Sequence, residues 1–388
     1  MIFIEILFWL SLFLVFYAFL GYGIVAYVMV KMRKGFPIPA VPSDVALPEV
    51  TLVIPAYNEM DCLPAKVDNS LSLDYPKEKL KIIFVVEGSN DGSEEYLDKL
   101  DGIEVIGGPA RRGKIEAINM TMPKIDTPIT VFTDANTQLN PEAIKKIVRH
   151  YQDPAVAAVA GEKRVLIEED AKASGAGEGI YWKYESFLKK LDSDLQTIVG
   201  AAGELFSIRT ELYEPVEADT MLDDFMISMR FAVQGYRVIY EPNAYASEKP
   251  SFSMGEEKKR KVRISAGGFQ AMNRMQHVMN PFRYGLLAFQ YVSHRVLRWA
   301  VTPFCLPILF IANLFLVGQH WIYDLIMVAQ VGFYLLAAVG AVLESYNLKV
   351  KAFFVPYYFC FMHYAVFLGL KKYLKGNHSG IWEKAKRA

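Results

Sequence analysis

The sequence predicts a doubly wound, mostly parallel α/β domain held between hydrophobic segments long enough to cross a membrane. Three observations carry this reading. Short β-rich runs alternate with helical stretches from about Leu47 to Gly267, the order expected of a parallel sheet. Apolar residues make up 53% of the chain while charged residues still reach 22%, which suits a soluble domain fused to hydrophobic segments. The hydrophobicity also gathers at the two ends of the chain.

At the N-terminal end, Ile2 to Val30 carries one charge, Glu5, and has ample length for roughly 30 Å of hydrocarbon. No basic residue precedes the run, so it does not read as an ordinary signal peptide. Lys31, Arg33 and Lys34 follow it at once, which puts the N-terminus outside and residue 31 onward in the cytoplasm. The expected organisation is a transmembrane helix at 1–31 and a proline-rich linker at 32–48. The α/β domain follows at 49–268, then an interfacial segment at 269–298, transmembrane helices at 299–370 and a basic tail at 371–388.

The helices at 299–370 come from three runs without Asp, Glu, Lys or Arg: Trp299 to Tyr323, Leu325 to Leu343 and Ala352 to Leu370. Three crossings would leave the tail outside, yet it holds Lys371, Lys372, Lys375, Lys384, Lys386 and Arg387. Either the charge rule fails here or one run is re-entrant. The third is the candidate, because Pro356 interrupts it.

The formal net charge is zero, so no nucleic-acid partner is expected. Cys62, Cys305 and Cys360 form no C-x-x-C pair, which argues against a zinc site or a disulfide framework and fits a reducing compartment.

Within the α/β domain the strand candidates are Val50–Ile54, Ile82–Val86, Val105–Ile106, Ile129–Thr133 and Val156–Ala160. Helices are expected near Leu63–Leu71, Ser93–Leu100, Lys114–Met120 and Glu142–Tyr151. In such sheets ligands bind beyond the carboxyl ends of the strands, so the polar residues there are the candidates. The Gly175–Gly179 stretch is a decoy for a phosphate loop: no strand precedes it, and a loop entering a helix is expected.

The first strand ends in Ile54-Pro55-Ala56-Tyr57-Asn58-Glu59, which is either a turn or the edge of a binding site. Glu87-Gly88-Ser89-Asn90-Asp91-Gly92-Ser93 follows the second strand, and Asp91 could simply cap the next helix. After the fourth strand, Asp134 and Asn136 place a carboxylate and an amide oxygen two residues apart. Such oxygens suit Mg²⁺ or Mn²⁺ carrying a diphosphate; an Asx-turn is the alternative. Arg111-Arg112-Gly113-Lys114 offers cations at a helix start, either for an anion or as a solvated loop. Gly200-Ala201-Ala202-Gly203 allows a close backbone approach to a ligand. Asp223-Asp224 opens the helix Phe225–Val233, as a dipole complement or as the base for an acceptor hydroxyl.

Taken together and in this order, Val50 to about Gly268 resembles the family 2 inverting glycosyltransferases of GT-A fold. The likeness is to their membrane branch, with the hyaluronan, chitin and cellulose synthases and ceramide glucosyltransferase. The matching pieces are Ile54-Pro55-Ala56-Tyr57-Asn58-Glu59, Gly113-Lys114-x-x-Ala117-x-Asn119, Thr133-Asp134-Ala135-Asn136 and Thr220-Met221-Leu222-Asp223-Asp224. The resemblance implies a nucleotide-sugar donor, a glycan or lipid acceptor, and Mg²⁺ or Mn²⁺. It also implies a multi-pass protein of the plasma (inner) membrane, with its catalytic domain cytoplasmic.

By the same resemblance Pro55, Ala56, Tyr57 and Glu59 would hold the nucleoside and Glu87 would read the base. Lys114 would face the diphosphate, Asp134 and Asn136 the metal. Asp224 would be the base, with Asp223 beside it. Gly200, Ala201, Ala202 and Gly203 would line the acceptor side, roofed by Tyr181 and Trp182, which ordinary core packing would explain equally well. Arg260 and Arg263 would stand at the position of the family's Q-x-x-R-W motif.

The sequence departs from the family pattern in three places. Glu87 stands where Asp is usual, and Asn136 replaces the second Asp of D-x-D. Two stretches compete for Q-x-x-R-W: Arg260-Lys261-Val262-Arg263-Ile264 matches by position, Arg295-Val296-Leu297-Arg298-Trp299 by spelling. Position is given the greater weight, and Arg298 and Trp299 are read as anchors at the membrane interface.

Overall fold

The computed structural model describes residues 1–33, 35–166, 174–250, 253–346, 348 and 350–376, the side chains of 174–181 excepted. They form two compact units. One gathers Met1–Met32, Ile167–Leu188 and Ser251–Asn377; the other gathers Arg33–Leu166 and Lys189–Pro250.

The second unit is built on one eight-stranded sheet. Its strands are β1 (Val50–Ala56), β2 (Leu80–Glu87), β3 (Glu104–Gly108), β4 (Ile129–Thr133), β5 (Gln138–Leu139), β6 (Val156–Val165), β7 (Leu205–Arg209) and β8 (Arg237–Glu248). The spatial order is β3-β2-β1-β4-β7-β6-β8-β5. The first four are parallel, as expected. Beyond them β7 runs antiparallel to both β4 and β6, β6 pairs parallel with β8, and β5 antiparallel with β8. The sheet is mixed, with four parallel and three antiparallel pairings, because the chain leaves β6, forms the helix Ser174–Leu195 and returns as β7 between β4 and β6.

The four parallel strands read as continuous apolar runs because helices cover both faces. In β1 every residue but Pro55 is buried. Pro55 still pairs with Val85 of β2, but pairing with β4 stops at Val53, so the missing N–H falls where the ladder has already opened. The strands β1 and β4 part there, and that opening is the crevice of a doubly wound sheet. The core beneath is formed by Leu52, Ile54, Leu63, Phe84, Val86, Val131 and Ile144, among others.

The first unit is helical. Four of its helices are long and apolar enough to cross a membrane: Ile2–Met32, Pro281–Leu314, Trp321–Ser345 and Lys351–Leu374. Phe8 packs with Leu309, Ala312, Leu316 and Tyr323 in a shared apolar cluster. A Cβ on Gly340 would meet the Phe353 carbonyl at 2.3 Å, and one on Gly369 would meet Ser265 at 2.4 Å, so both glycines are sites of close helix approach.

Two local expectations change. The run Trp299–Tyr323 is not one helix: it stops at Leu314, Gly318 turns with φ of 79° and donates to Asp324, and His320 caps the helix beginning at Trp321. Pro356 does not interrupt the third run, since the helix Lys351–Leu374 continues through it. Of the expected interfacial segment 269–298, residues 269–274 lie within the helix Met254–Arg274 and residues 281–298 within the helix Pro281–Leu314.

Candidate active site

The segments that follow β1, β2 and β4 meet at the crevice of the sheet unit. After β1, Asn58 takes a left-handed conformation with φ of 52°, rare outside glycine but tolerated by Asn. Its N–H donates to Ser89 Oγ at 3.0 Å, and its Oδ1 accepts from Asn90 N at 2.9 Å. Asp91 continues the lacing by accepting from Met60 N and from Ser93 N. The N-cap of the helix Ser93–Leu97 is Gly92, and Asp91, one residue before it, accepts from the first helical N–H and ties two loops together. Burial would raise its carboxyl, but the Ser93 hydroxyl and the Met60 and Ser93 amides hold it below the usual range.

Beside these loops the Arg111 guanidinium lies 3.7 Å from the centroid of the Tyr57 ring, a cation–π stack. Gly88 makes it possible: at φ of 62°, a Cβ there would meet Arg111 at 2.9 Å. Glu87 accepts from Arg112 N at 3.3 Å, and burial pushes its carboxyl up. The Glu59 carboxylate accepts from Cys62 Sγ at 3.1 Å, and Ala56 is buried at the strand end.

Lys114 stands first in the helix Lys114–Thr121, entered through Gly113 at φ of 103°. Its ammonium donates to Asp134 Oδ1 at 2.7 Å and lies 3.6 Å from Asp223 Oδ2. Burial alone would lower its pKa, but the Asp134 and Asp223 carboxylates outweigh that and raise it, so Lys114 is firmly cationic. Asp223 and Asp224 open the helix Asp223–Val233, as expected, and Asp224 Oδ1 accepts from Phe225 N at 2.8 Å. Burial, with the Asp223 carboxylate beside it, pushes the Asp224 carboxyl up to about 7. Three carboxylates from two distant stretches of sequence, Asp134 and the adjacent Asp223 and Asp224, therefore act on one ammonium.

The Gly200–Gly203 loop reaches the same place. A Cβ on Gly203 would stand 3.3 Å from both Asp224 Oδ2 and Lys114 Nζ. Gly200 serves packing instead: at φ of 97° its Cβ would strike the Phe225 ring at 2.2 Å. The Ala201 N–H donates to Ser228 Oγ, and Ala202 is half-buried.

Among the described residues no three His, Cys, Asp or Glu side chains form a ready metal cage. The donor set nevertheless suits a hard cation completed by phosphate oxygens. The Asp134 side chain keeps 34% exposure and Asn136 is half-buried on the same turn. Asp223 Oδ2 is buried without a hydrogen-bond partner, and the carboxylates outnumber the ammonium.

Several residues escaped the sequence reading. Lys66, on the helix Leu63–Leu71, is fully buried and donates to Thr133 and Thr137. Its signal was positional: Leu63, Lys66, Val67 and Ser70 share the buried face of that helix. Lys163, 3% exposed, forms a buried ion triad with Glu204 and Glu248. Asn119 of the Gly113–Asn119 motif accepts from Tyr213 and donates to the Val216 carbonyl, a structural clasp.

The remaining candidates belong to the helical unit. Arg260 is buried and pairs with Glu257, Arg263 is half-buried, and the Trp182 ring lies 5.8 Å from Lys261 Nζ. The side chain of Tyr181 lies outside the described residues, as do the side chains of Gly175–Gly179, whose backbone is helical rather than a loop. Arg298 and Trp299 are packed into their unit. Arg295 and Arg298 both hold the buried carboxylate of Glu185, at 2.6 and 3.0 Å, and Trp299 lies where a Cβ on Gly268 would meet it at 2.9 Å.

The sequence model described as Glycosyl transferase family 2 matches residues 51–216. Over 236 residues, 58% of the chain, the sequence is 25% identical to the poly-beta-1,6-N-acetyl-D-glucosamine synthase of Staphylococcus aureus (strain MSSA476). The synthase of the same description from Staphylococcus epidermidis is 22% identical over the same length. The match spans 56% of each relative, so the chain corresponds to little more than half of their length. Among solved structures, the mannosyltransferase PcManGT from Pyrobaculum calidifontis, in complex with GDP-Man and Mn²⁺, shares the fold. Its TM-score is 0.72 at 22% identity, covering 96% of this chain and 99% of that one.

Proposed function

We propose, from the premise that residues 51–216 form a glycosyl transferase family 2 domain, that this chain transfers a sugar from a nucleotide-sugar, read as a UDP-sugar, to a membrane-associated glycan or lipid acceptor. A single in-line displacement inverts the anomeric centre, so an α-linked donor gives a β-linked product. The observation that carries the reading is the Lys114 ammonium, 2.7 Å from Asp134 and 3.6 Å from Asp223, with the Asp224 carboxyl raised to about 7 beside them.

The donor's nucleoside is assigned to the loops after β1 and β2, with Pro55, Ala56, Tyr57, Glu59 and Glu87. Its diphosphate faces Lys114. Asp134 and the Asn136 amide oxygen would hold Mg²⁺ or Mn²⁺, which supplies positive charge against the diphosphate. The acceptor lies at the Gly200–Gly203 loop, with its hydroxyl toward Asp224. As the acceptor oxygen bonds to the anomeric carbon, its proton passes to Asp224. The bond from that carbon to the diphosphate breaks, and the leaving group takes the electron pair toward Lys114. A base with a pKa near 7 is half-ionised at neutral pH and still strong enough to receive the proton. The Asp223 charge is part of what raises it.

The four apolar helices associate the chain with a bilayer. Lys31, Arg33 and Lys34 support a cytoplasmic sheet unit, on the side where nucleotide-sugars are made. A second reading, a processive polysaccharide synthase, is favoured by the names of the staphylococcal relatives. Detergent-purified protein, screened against nucleotide-sugars for nucleoside diphosphate release with Mg²⁺ or Mn²⁺, tests the proposal. Release with at least one donor, lost in Asp224→Asn, is expected; no release from any donor overturns it.

A further inference from the structure

Behind the Asp134 turn lies a buried polar cluster that the mechanism above does not use. Lys66, Thr133 and Thr137 are all at most 1% exposed. Lys66 Nζ donates to Thr133 Oγ1 at 3.2 Å, to the Thr137 carbonyl at 2.9 Å and to Thr137 Oγ1 at 3.4 Å. Thr133 in turn donates to the Glu204 carbonyl at 2.9 Å, and Thr137 to the Asp134 carbonyl at 2.8 Å. The two threonine hydroxyls also lie 3.0 Å apart, so either can donate to the other as well as accept from the third side chain. The Lys66 amino group, which donates to both hydroxyl oxygens and to the Thr137 carbonyl, is the group that ties them together. The chain of bonds joins the two ends of the Thr133–Thr137 turn and continues to Glu204, whose carboxylate is held by buried Lys163. Glu204 follows Gly203, where a Cβ would stand 3.3 Å from both Asp224 and Lys114.

We infer that Lys66 is a positioning residue that fixes the Asp134–Asn136 turn, and with it the Gly203–Glu204 loop, in the geometry that binds a divalent cation. The inference rests on the reading of Asp134 as a metal residue. Shape and charge make opposite forecasts here. Burial lowers Lys66 to about 7, so removing the positive charge it carries below that pH should by electrostatics alone strengthen cation binding, whereas loss of positioning should weaken it. A buried lysine replaced by an apolar side chain also leaves hydroxyl and carbonyl lone pairs unsatisfied, so the turn has reason to move.

The test uses the full chain in detergent and Mn²⁺ alone as probe, with free Mn²⁺ counted by electron paramagnetic resonance and folding followed by thermal melting. Lys66→Met and Thr137→Val should each lower Mn²⁺ affinity about fivefold or more while melting cooperatively. Because both act through one cluster, the double variant should lose little beyond either single change. Affinity unchanged or raised in Lys66→Met overturns the inference, and so do losses that simply add. If Lys66→Met does not melt cooperatively, Thr137→Val decides by itself, and unchanged Mn²⁺ affinity there overturns the inference. Wild-type protein that binds no Mn²⁺ overturns the metal reading together with this inference, whereas wild-type affinity retained in the variants overturns this inference alone.

Discussion

Lys114 Nζ sits 2.7 Å from Asp134 Oδ1, so the cation assigned to the leaving group is paired with the carboxylate assigned to the metal. The pairing makes the two roles competitive. A divalent cation arriving at Asp134 must displace or share the ammonium, and a displaced Lys114 is free to meet the diphosphate. Lys114→Ala should therefore bind Mn²⁺ more tightly than wild type while losing affinity for the nucleoside diphosphate. Asp134→Ala should lose the metal dependence of diphosphate binding, and Asn136→Asp should keep or raise metal affinity by adding a charge to a hard-cation site. Calorimetric titration with and without chelator measures all three. Equal wild-type affinity in both conditions would remove the metal from the mechanism.

The raised Asp224 carboxyl gives a pH signature. Transfer should climb from pH 5.5 to 8 with an apparent pKa near 7, because the base must be ionised to take the acceptor proton. Asp223→Asn removes one of the causes of the rise and should move the acid limb to lower pH. Asp224→Asn should retain donor binding and lose transfer by about two or more orders of magnitude. Stability should move the opposite way. A carboxyl whose folded pKa lies above its unfolded value favours the fold at low pH and loses that contribution as pH rises from about 4 to about 7. Asp224→Asn should therefore melt above wild type at pH 8, with the difference shrinking toward pH 4. Rate profiles and melting curves at matched pH check both signs.

How much of this was legible in the sequence depended on range. The parallel strands β1, β2 and β4 announce themselves as apolar runs ending in polar turns, and the residues after them define the crevice. By contrast β8 carries Pro242 in mid-run, which reads as a break. In the structure the register with β6 jumps between Gly161/Glu241 and Glu162/Tyr245, so the proline falls in a bulge where no ladder bond is asked of it. The two-residue β5 and the antiparallel β7 depend on partners far along the chain, so local pattern could not place them. Asp224, Lys114 and Asp134 were found through motif order, whereas Lys66 and Glu185 were missed because what defines them is a partner, not a neighbour.

Membrane orientation is testable without activity. The proposed orientation rests on Lys31, Arg33 and Lys34, which follow the first apolar helix and by the charge rule would keep the sheet unit cytoplasmic. Lys146, which pairs with Glu142 one helical turn earlier, is solvent-accessible enough to label. A cysteine introduced there should resist impermeant thiol reagents in intact cells and react after lysis. Reaction before lysis would reverse the orientation and, with it, the source of the donor.

Chain length of the product turns on which stretch takes the Q-x-x-R-W role. A processive enzyme must hold the terminal sugar while fresh donor enters, and an aromatic ring contributes roughly 0.5–1.5 kcal/mol of stacking beyond area burial. The positional match ends in Ile264, which offers no flat face, and its Arg260 is buried against Glu257. The match by spelling supplies Trp299, but Trp299 is packed against Gly268, and its neighbours Arg295 and Arg298 are held by Glu185. Neither stretch presents an unencumbered ring within the helical unit, which supports addition of one or a few sugars to a membrane-bound acceptor. Gel sizing after a donor pulse should therefore show short products or a single glycolipid band. A high-molecular-weight product without intermediates would establish processive synthesis, as the names of the staphylococcal relatives favour. In that event Trp299→Ala should shorten the polymer while Ile264→Ala leaves its length unchanged. Gly268→Ala, which crowds the indole where a Cβ would lie 2.9 Å away, should shorten it as well.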